Sequence, residues 1–298
     1  MKRILLLTLF LGVLLSAAAQ QKRKRPGNFN QSGRGDARAF LHKQWWVGLK
    51  AGATVANPRV DKSYAILSPV DYKPSGVDKK YDNFKLFGKQ IGLEATFYFR
   101  GFCLSIQPTY QQTRFQYSNR YEWEDNPDEE NSPYHVILNY EQEQNLEHFI
   151  VPLIFKYELV GRKFSPYAQI GGFAGFLLNA NKTVTMSGID FASGGESKFE
   201  NEPVIVGAKD LFAKTHYGAL AGAGFNYAVG NIRLNFDVQY KMGLTNITSA
   251  ENRYANDRLS GIGDAMDDVM LDNISVTVGA LFPLRFLSSG FKSNDSKN

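Results

Sequence analysis

The histidines are the residues with the widest chemical range here, and their spacing decides what they could do. His42, His135, His148 and His216 show no metal-ligand spacing, and no H-E-x-x-H pair occurs. Period-two counting puts His148 and His216 on one strand phase near one rim, where a lipid hydrolase would want a histidine beside a serine. No serine nucleophile motif accompanies them. Cys103 is the single cysteine, which excludes an internal disulfide framework and predicts an inert interior thiol. Gly222-Ala-Gly224 lacks the third glycine of a G-x-G-x-x-G phosphate loop and sits within a strand pattern. Carboxylates gather at Glu122, Glu124, Asp125, Asp128, Glu129 and Glu130, and again at Asp257, Asp264, Asp267, Asp268 and Asp272. Such clusters suit divalent cations shared with lipopolysaccharide or a basic partner, but no EF-hand spacing is present, and solvated charge is the default reading. The expectation is a chain with no catalytic residues, no cofactor, no metal centre and no small-molecule substrate.

Period-two alternation, the mark of a strand with one apolar and one polar face, recurs eight times. Ile232 to Gly243 is the cleanest case. Ile232, Leu234, Phe236, Val238, Tyr240 and Met242 fall on one face, with Arg233, Asn235, Asp237, Gln239, Lys241 and Gly243 on the other. The other segments are Gln44–Ala56, Phe87–Arg100, Phe102–Tyr117, Leu146–Leu159, Phe164–Ala180, Thr215–Val229 and Asn273–Leu287. Gly171, Gly175, Gly218, Gly222 and Gly224 lie on the polar phase, where a curved interior leaves little room. Tight connections (Arg100-Gly101, Val160 to Lys163, Gly230-Asn231) alternate with long ones near 57–86, 118–145, 181–214 and 247–272. This spacing predicts an all-β, closed antiparallel eight-stranded up-and-down transmembrane β-barrel, with long extracellular loops and short periplasmic turns.

Alternation alone does not say which face is inside. A soluble barrel of the lipocalin type would turn the apolar face inward around a ligand. Three features favour the membrane arrangement. Aromatics band the periplasmic ends (Trp45, Phe97, Phe99, Phe102, Tyr157, Phe164, Tyr227, Phe286) and the outer ends (Tyr110, Phe149, Phe176, Tyr217, Tyr240). The apolar faces of the first, seventh and eighth segments carry no charge. Each segment is long enough to cross a bilayer, which takes about 9–11 tilted residues. The interior then collects Lys50, Glu94, Lys156, Glu158, Arg233, Asp237, Lys241 and Arg285. Opposite charges across so narrow a lumen would pair, giving a plugged scaffold; a continuous pore is the alternative.

The ends supply the address. Lys2 and Arg3, the apolar run Ile4 to Leu15, and Ser16-Ala17-Ala18-Ala19 read as a secretory signal peptide over 1–19, cleaved after Ala19. Residues 20–43 hold Lys22, Arg23, Lys24, Arg25, Arg34, Arg38 and Lys43 against Asp36 alone, within a net charge of +5. That composition predicts a flexible periplasmic arm, either a solvated linker or a contact for an anionic surface. Export excludes nucleic acid as its partner. The barrel is assigned 44–287 and a short polar tail 288–298.

Trp46-Val-Gly-Leu-Lys-Ala-Gly, Leu146-Glu-His-Phe-Ile-Val-Pro-Leu-Ile-Phe-Lys-Tyr, Pro166-Tyr-Ala-Gln-Ile-Gly-Gly and the leader ending in Ala-Ala-Gln resemble the PorT-type outer-membrane barrels. The resemblance covers most of 44–287 and carries over no functional residues. It implies an accessory role beside secretion or envelope complex subunits, of the type IX secretion or gliding kind. The partners expected are outer-membrane lipid and lipopolysaccharide together with such subunits. A small channel, a surface-binding protein and, last, a lipid-modifying enzyme are the alternatives. The Ser288–Asn298 tail departs from barrels that finish on an aromatic.

Overall fold

The computed structural model describes residues 43–64, 79–124, 135–159, 163–191, 195–229, 232–255 and 265–284. The leader, the basic arm (Lys22 to Arg25 included), Arg285, Phe286 and the tail lie outside them. In chain order the strands are β1 (Lys43–Lys62), β2 (Lys80–Asp82), β3 (Phe87–Phe99), β4 (Phe102–Ile106), β5 (Thr109–Glu124) and β6 (His135–Glu158). They continue as β7 (Phe164–Asp190), β8 (Ser197–Glu200), β9 (Val204–Gly207), β10 (Thr215–Val229), β11 (Ile232–Gly243) and β12 (Asp268–Pro283).

Antiparallel pairing runs β1–β3–(β4, β5)–β6–β7–β10–β11–β12 and returns from β12 to β1, which closes a ring of eight strands. Closure matters in lipid, because every edge N–H and C=O would otherwise lack a partner. The third member of the ring is broken into β4 and β5 at Gln107-Pro108, where proline has no N–H to give the ladder. Its carbonyl still accepts from Leu93 N at 2.9 Å, so the wall stays continuous. The β3–β4 hairpin turns through Arg100 (φ 50°) and Gly101 (φ 93°), the positive-φ pair that a two-residue turn demands.

The chief departure from the sequence expectation is where the strands end. The stretch 118–145, expected as a loop, is largely strand: β5 reaches Glu124 and β6 begins at His135. β7 runs on to Asp190, β1 to Lys62, and β12 starts at Asp268. Short strands β2, β8 and β9 edge this raised wall. The reason lies in side-chain polarity, which inverts along the same strands. Tyr110, Phe149 and Phe176 form one outward register row across β5, β6 and β7. The next outward row is Gln112, Glu147 and Asn179, and above it come Arg114, Asn145 and Asn181. Over the same rise the inside gains an apolar cluster, in which Leu146, Ala180, Phe115, Tyr117 and Val184 are buried with Leu211, Phe212, Met266, Val269 and Leu271 beside the buried polar Gln142, Gln144 and Lys182. Below the switch the wall is apolar outside and polar inside, as lipid requires; above it the wall is polar outside, as water requires. A β7 bulge marks the same level, since Glu147 pairs with Asn179 while His148 pairs with Leu177, leaving Leu178 over.

Candidate functional site

The lumen gathers the side chains singled out by alternation. Lys50 on β1, Glu94 on β3, Lys156 at the base of β6 and Asp237 on β11 all point inward because their neighbours are apolar and face out. Lys156 Nζ lies 2.6 Å from Glu94, Lys50 Nζ lies 3.3 Å from the same carboxylate, and Lys50 also donates to Asp237. Glu94 and Asp237 have no solvent exposure. Bare charges at that depth would cost several kcal/mol each, a cost that the ion pairs and their added hydrogen bonds offset. Thr96 Oγ1 donates to Glu94 at 2.7 Å and Gln169 Nε2 to Asp237 at 2.6 Å.

A second pair closes the periplasmic end. Arg233 meets Glu158 at 3.3 Å, and its guanidinium lies 4.2 Å from the Trp46 ring centre and 5.4 Å from that of Tyr98. Trp46, Tyr98, Leu281 and the free thiol of Cys103 pack together as a small apolar floor.

Lys241 departs from the expected ion-pair network. Among the described residues it pairs with no carboxylate; Gln111 Oε1 at 2.7 Å and Gln90 Oε1 at 3.2 Å accept hydrogen bonds from it instead. Those glutamines were absent from the expected network. An uncharged amide on the polar phase gives no charge signal, yet Gln90, Gln107, Gln111, Gln169 and Gln239 are all buried in the lumen.

His148 and His216 do meet. Their rings stand edge to face with centroids 4.6 Å apart, and Phe173 adds a third ring 5.8 Å from His216. Gly175 makes this possible, since a Cβ there would sit 2.1 Å from the His216 ring. Among the described residues no group of three or more His, Cys, Asp or Glu side chains gathers as metal ligands.

Around the outside, Trp45 packs on Phe97 and Phe102 on Tyr157, each with ring centres 5.1 Å apart, while Phe99, Phe164 and Tyr227 are exposed on the same lower band. Glu122 and Glu124 close β5 rather than a loop, and Asp125, Asp128, Glu129 and Glu130 lie outside the described residues. Asp257 and Asp264 also lie outside them, while the described aspartates of the last connection, Asp267, Asp268 and Asp272, are paired rather than solvated. Asp267 accepts from Lys79 at 3.0 Å and from the Tyr81 hydroxyl at 2.8 Å. Asp268 takes Arg253, whose guanidinium covers the Tyr64 ring at 3.2 Å, and Asp272 takes Arg59 at 3.4 Å and the Tyr240 hydroxyl at 2.9 Å. These carboxylates clasp the first and last outer connections together, and the chain's own cations occupy them.

No curated protein sequence matches the chain. Among solved structures it is similar to E. coli outer membrane protein W (14% identity, 81% of this chain and 98% of that one, TM-score 0.32). It is also similar to Neisserial surface protein A (12%, 80% and 96%, TM-score 0.31) and to the attachment invasion locus protein Ail of Yersinia pestis (11%, 80% and 99%, TM-score 0.23). The family model described as the outer membrane protein beta-barrel domain matches residues 18–249, most of the chain. With a closed ring that is apolar outside and charged within, this chain belongs to the outer-membrane β-barrel domain family.

Proposed function

We propose that this outer-membrane barrel works without catalysis and without conducting, as a scaffold or accessory subunit of an envelope complex. The filled lumen carries the reading. Polar side chains plug the membrane-spanning part, an apolar cluster fills the part above it, and two interior voids between lumenal side chains measure about 10 Å³ each. Such a void has room for roughly one water, which needs about 10–15 Å³. The resemblance to PorT-type barrels supports the type IX secretion or gliding machinery as the complex served, with the basic arm on the periplasmic side.

Planar bilayers seeded with the purified full-length barrel are expected to show no unit conductance; stepwise openings would replace the scaffold with a passive channel. A deletion strain separates the finer alternatives, with loss of secreted cargo expected. A surface-binding role is the second reading, favoured by the raised β5–β6–β7 wall with its polar outer face. Normal cargo secretion together with lost surface attachment would select it.

A further inference from the structure

We infer that the outer wall carries a binding notch for the phosphorylated saccharide headgroup of an outer-leaflet glycolipid. The notch comes from a break in the ladder. β3 pairs with β5 only as far as Lys89 opposite Gln112, and β5 next finds β2 at Gln116 opposite Asp82. Between these points the chain leaves the sheet through Asn83 to Leu86, with Phe84 held at φ 54°. The opening left beside Arg114 has a volume of about 410 Å³, within the range of small-ligand sites.

Its lining fits an anionic, hydroxyl-rich group. Lys89 and Arg114 supply positive charge, and Glu143 engages Arg114 at 2.7 Å, which turns the guanidinium toward the wall. Gln112 and Asn145, joined at 2.9 Å, present planar amides of the kind that match sugar hydroxyls. Phe87, 71% exposed, offers an apolar plate at the rim. Above the opening, hydrogen bonds from Lys85 (3.0 Å) and Gln116 (2.7 Å) tie up Asp82 and hold its carboxyl below the usual range, so the upper lip is itself braced.

Height selects the occupant. One register row below the notch lie Ile91 and Tyr110, paired across β3 and β5, with Phe149 beyond them, all on the lipid-facing belt. A molecule whose chains lie on Ile91 and Leu93 therefore has its headgroup at Lys89 and Arg114. Wall, belt and notch together describe an outer-leaflet phosphoglycolipid.

The test is native mass spectrometry of the full-length barrel in micelles, titrated with bisphosphorylated lipid A, with lipid A stripped of phosphate, and with inorganic phosphate. Wild type is expected to retain bisphosphorylated lipid A. K89Q/R114Q should bind it at least tenfold more weakly, whereas K214Q, on another part of the outer rim, should bind as wild type. Equal binding by K89Q/R114Q, or an equal loss in K214Q, overturns the site. Inorganic phosphate bound as tightly as the lipid would also overturn it, since the site would then hold an ion. Heat-modifiable gel migration checks folding. If the double variant fails that check, K89Q alone carries the test, with a threefold or greater loss expected and wild-type affinity contradicting the proposal.

Discussion

Glu94 concentrates the physics of the lumen in one side chain. It is fully buried and answers both Lys50 and Lys156, with Thr96 as an added donor. Removing one partner of a buried pair leaves an uncompensated charge, which costs about 3–5 kcal/mol, whereas replacing both partners with apolar groups is often neutral. Glu94→Ala is therefore expected to lower unfolding stability in urea-treated vesicles by about 3–5 kcal/mol. Glu94→Met combined with Lys156→Met should recover part of that loss. Equal stability of Glu94→Ala and wild type would mean that water reaches these charges and the lumen is open. Arg114 and Glu143, half-exposed on the outer wall, contrast with this pair; there about 0–1 kcal/mol is at stake.

At the scale of the strand, the inverted polarity of β5, β6 and β7 is the feature with most consequence. Phe115 continues the inward phase of Gln111 and Thr113, yet it is apolar and 1% exposed, in the cluster above the membrane level. A packed wall predicts that Phe115→Ala costs about 3–5 kcal/mol, as core phenylalanines do. A solvated loop predicts a change within about 0.5 kcal/mol, and the same unfolding assay distinguishes them. The lower half of the barrel was legible in the sequence because lipid enforces one rule there: apolar out, polar in. Ile232 to Gly243 shows that rule without exception and forms β11 with the bounds expected. The upper half was missed because the rule reverses while the period persists. Phe115, Tyr117, Asn119 and Tyr121 alternate with Arg114, Gln116, Ser118 and Arg120, so the signal was present with its sign changed. Ion pairs were legible as opposed charges on one phase. The amides around Lys241 and the notch beside Arg114 were not, since the first carry no charge and the second depends on where two strands part.

The whole barrel is a closed ring of strands with an apolar outer belt and, among the described residues, a filled interior. Its floor is Arg233 stacked on Trp46, its middle is the Glu94–Asp237 lattice, and its upper part is an apolar core. Trp45 and Trp46 report from adjacent positions the direction in which the alternating faces point. Trp45 is 51% exposed on the outer band and Trp46 is 7% exposed in the lumen. Variants retaining only one of these tryptophans, with the others replaced by phenylalanine, can be folded into vesicles of lipids brominated along their acyl chains. Fluorescence of the Trp45-only protein should be strongly quenched and that of the Trp46-only protein nearly unchanged; the opposite ranking would contradict the account.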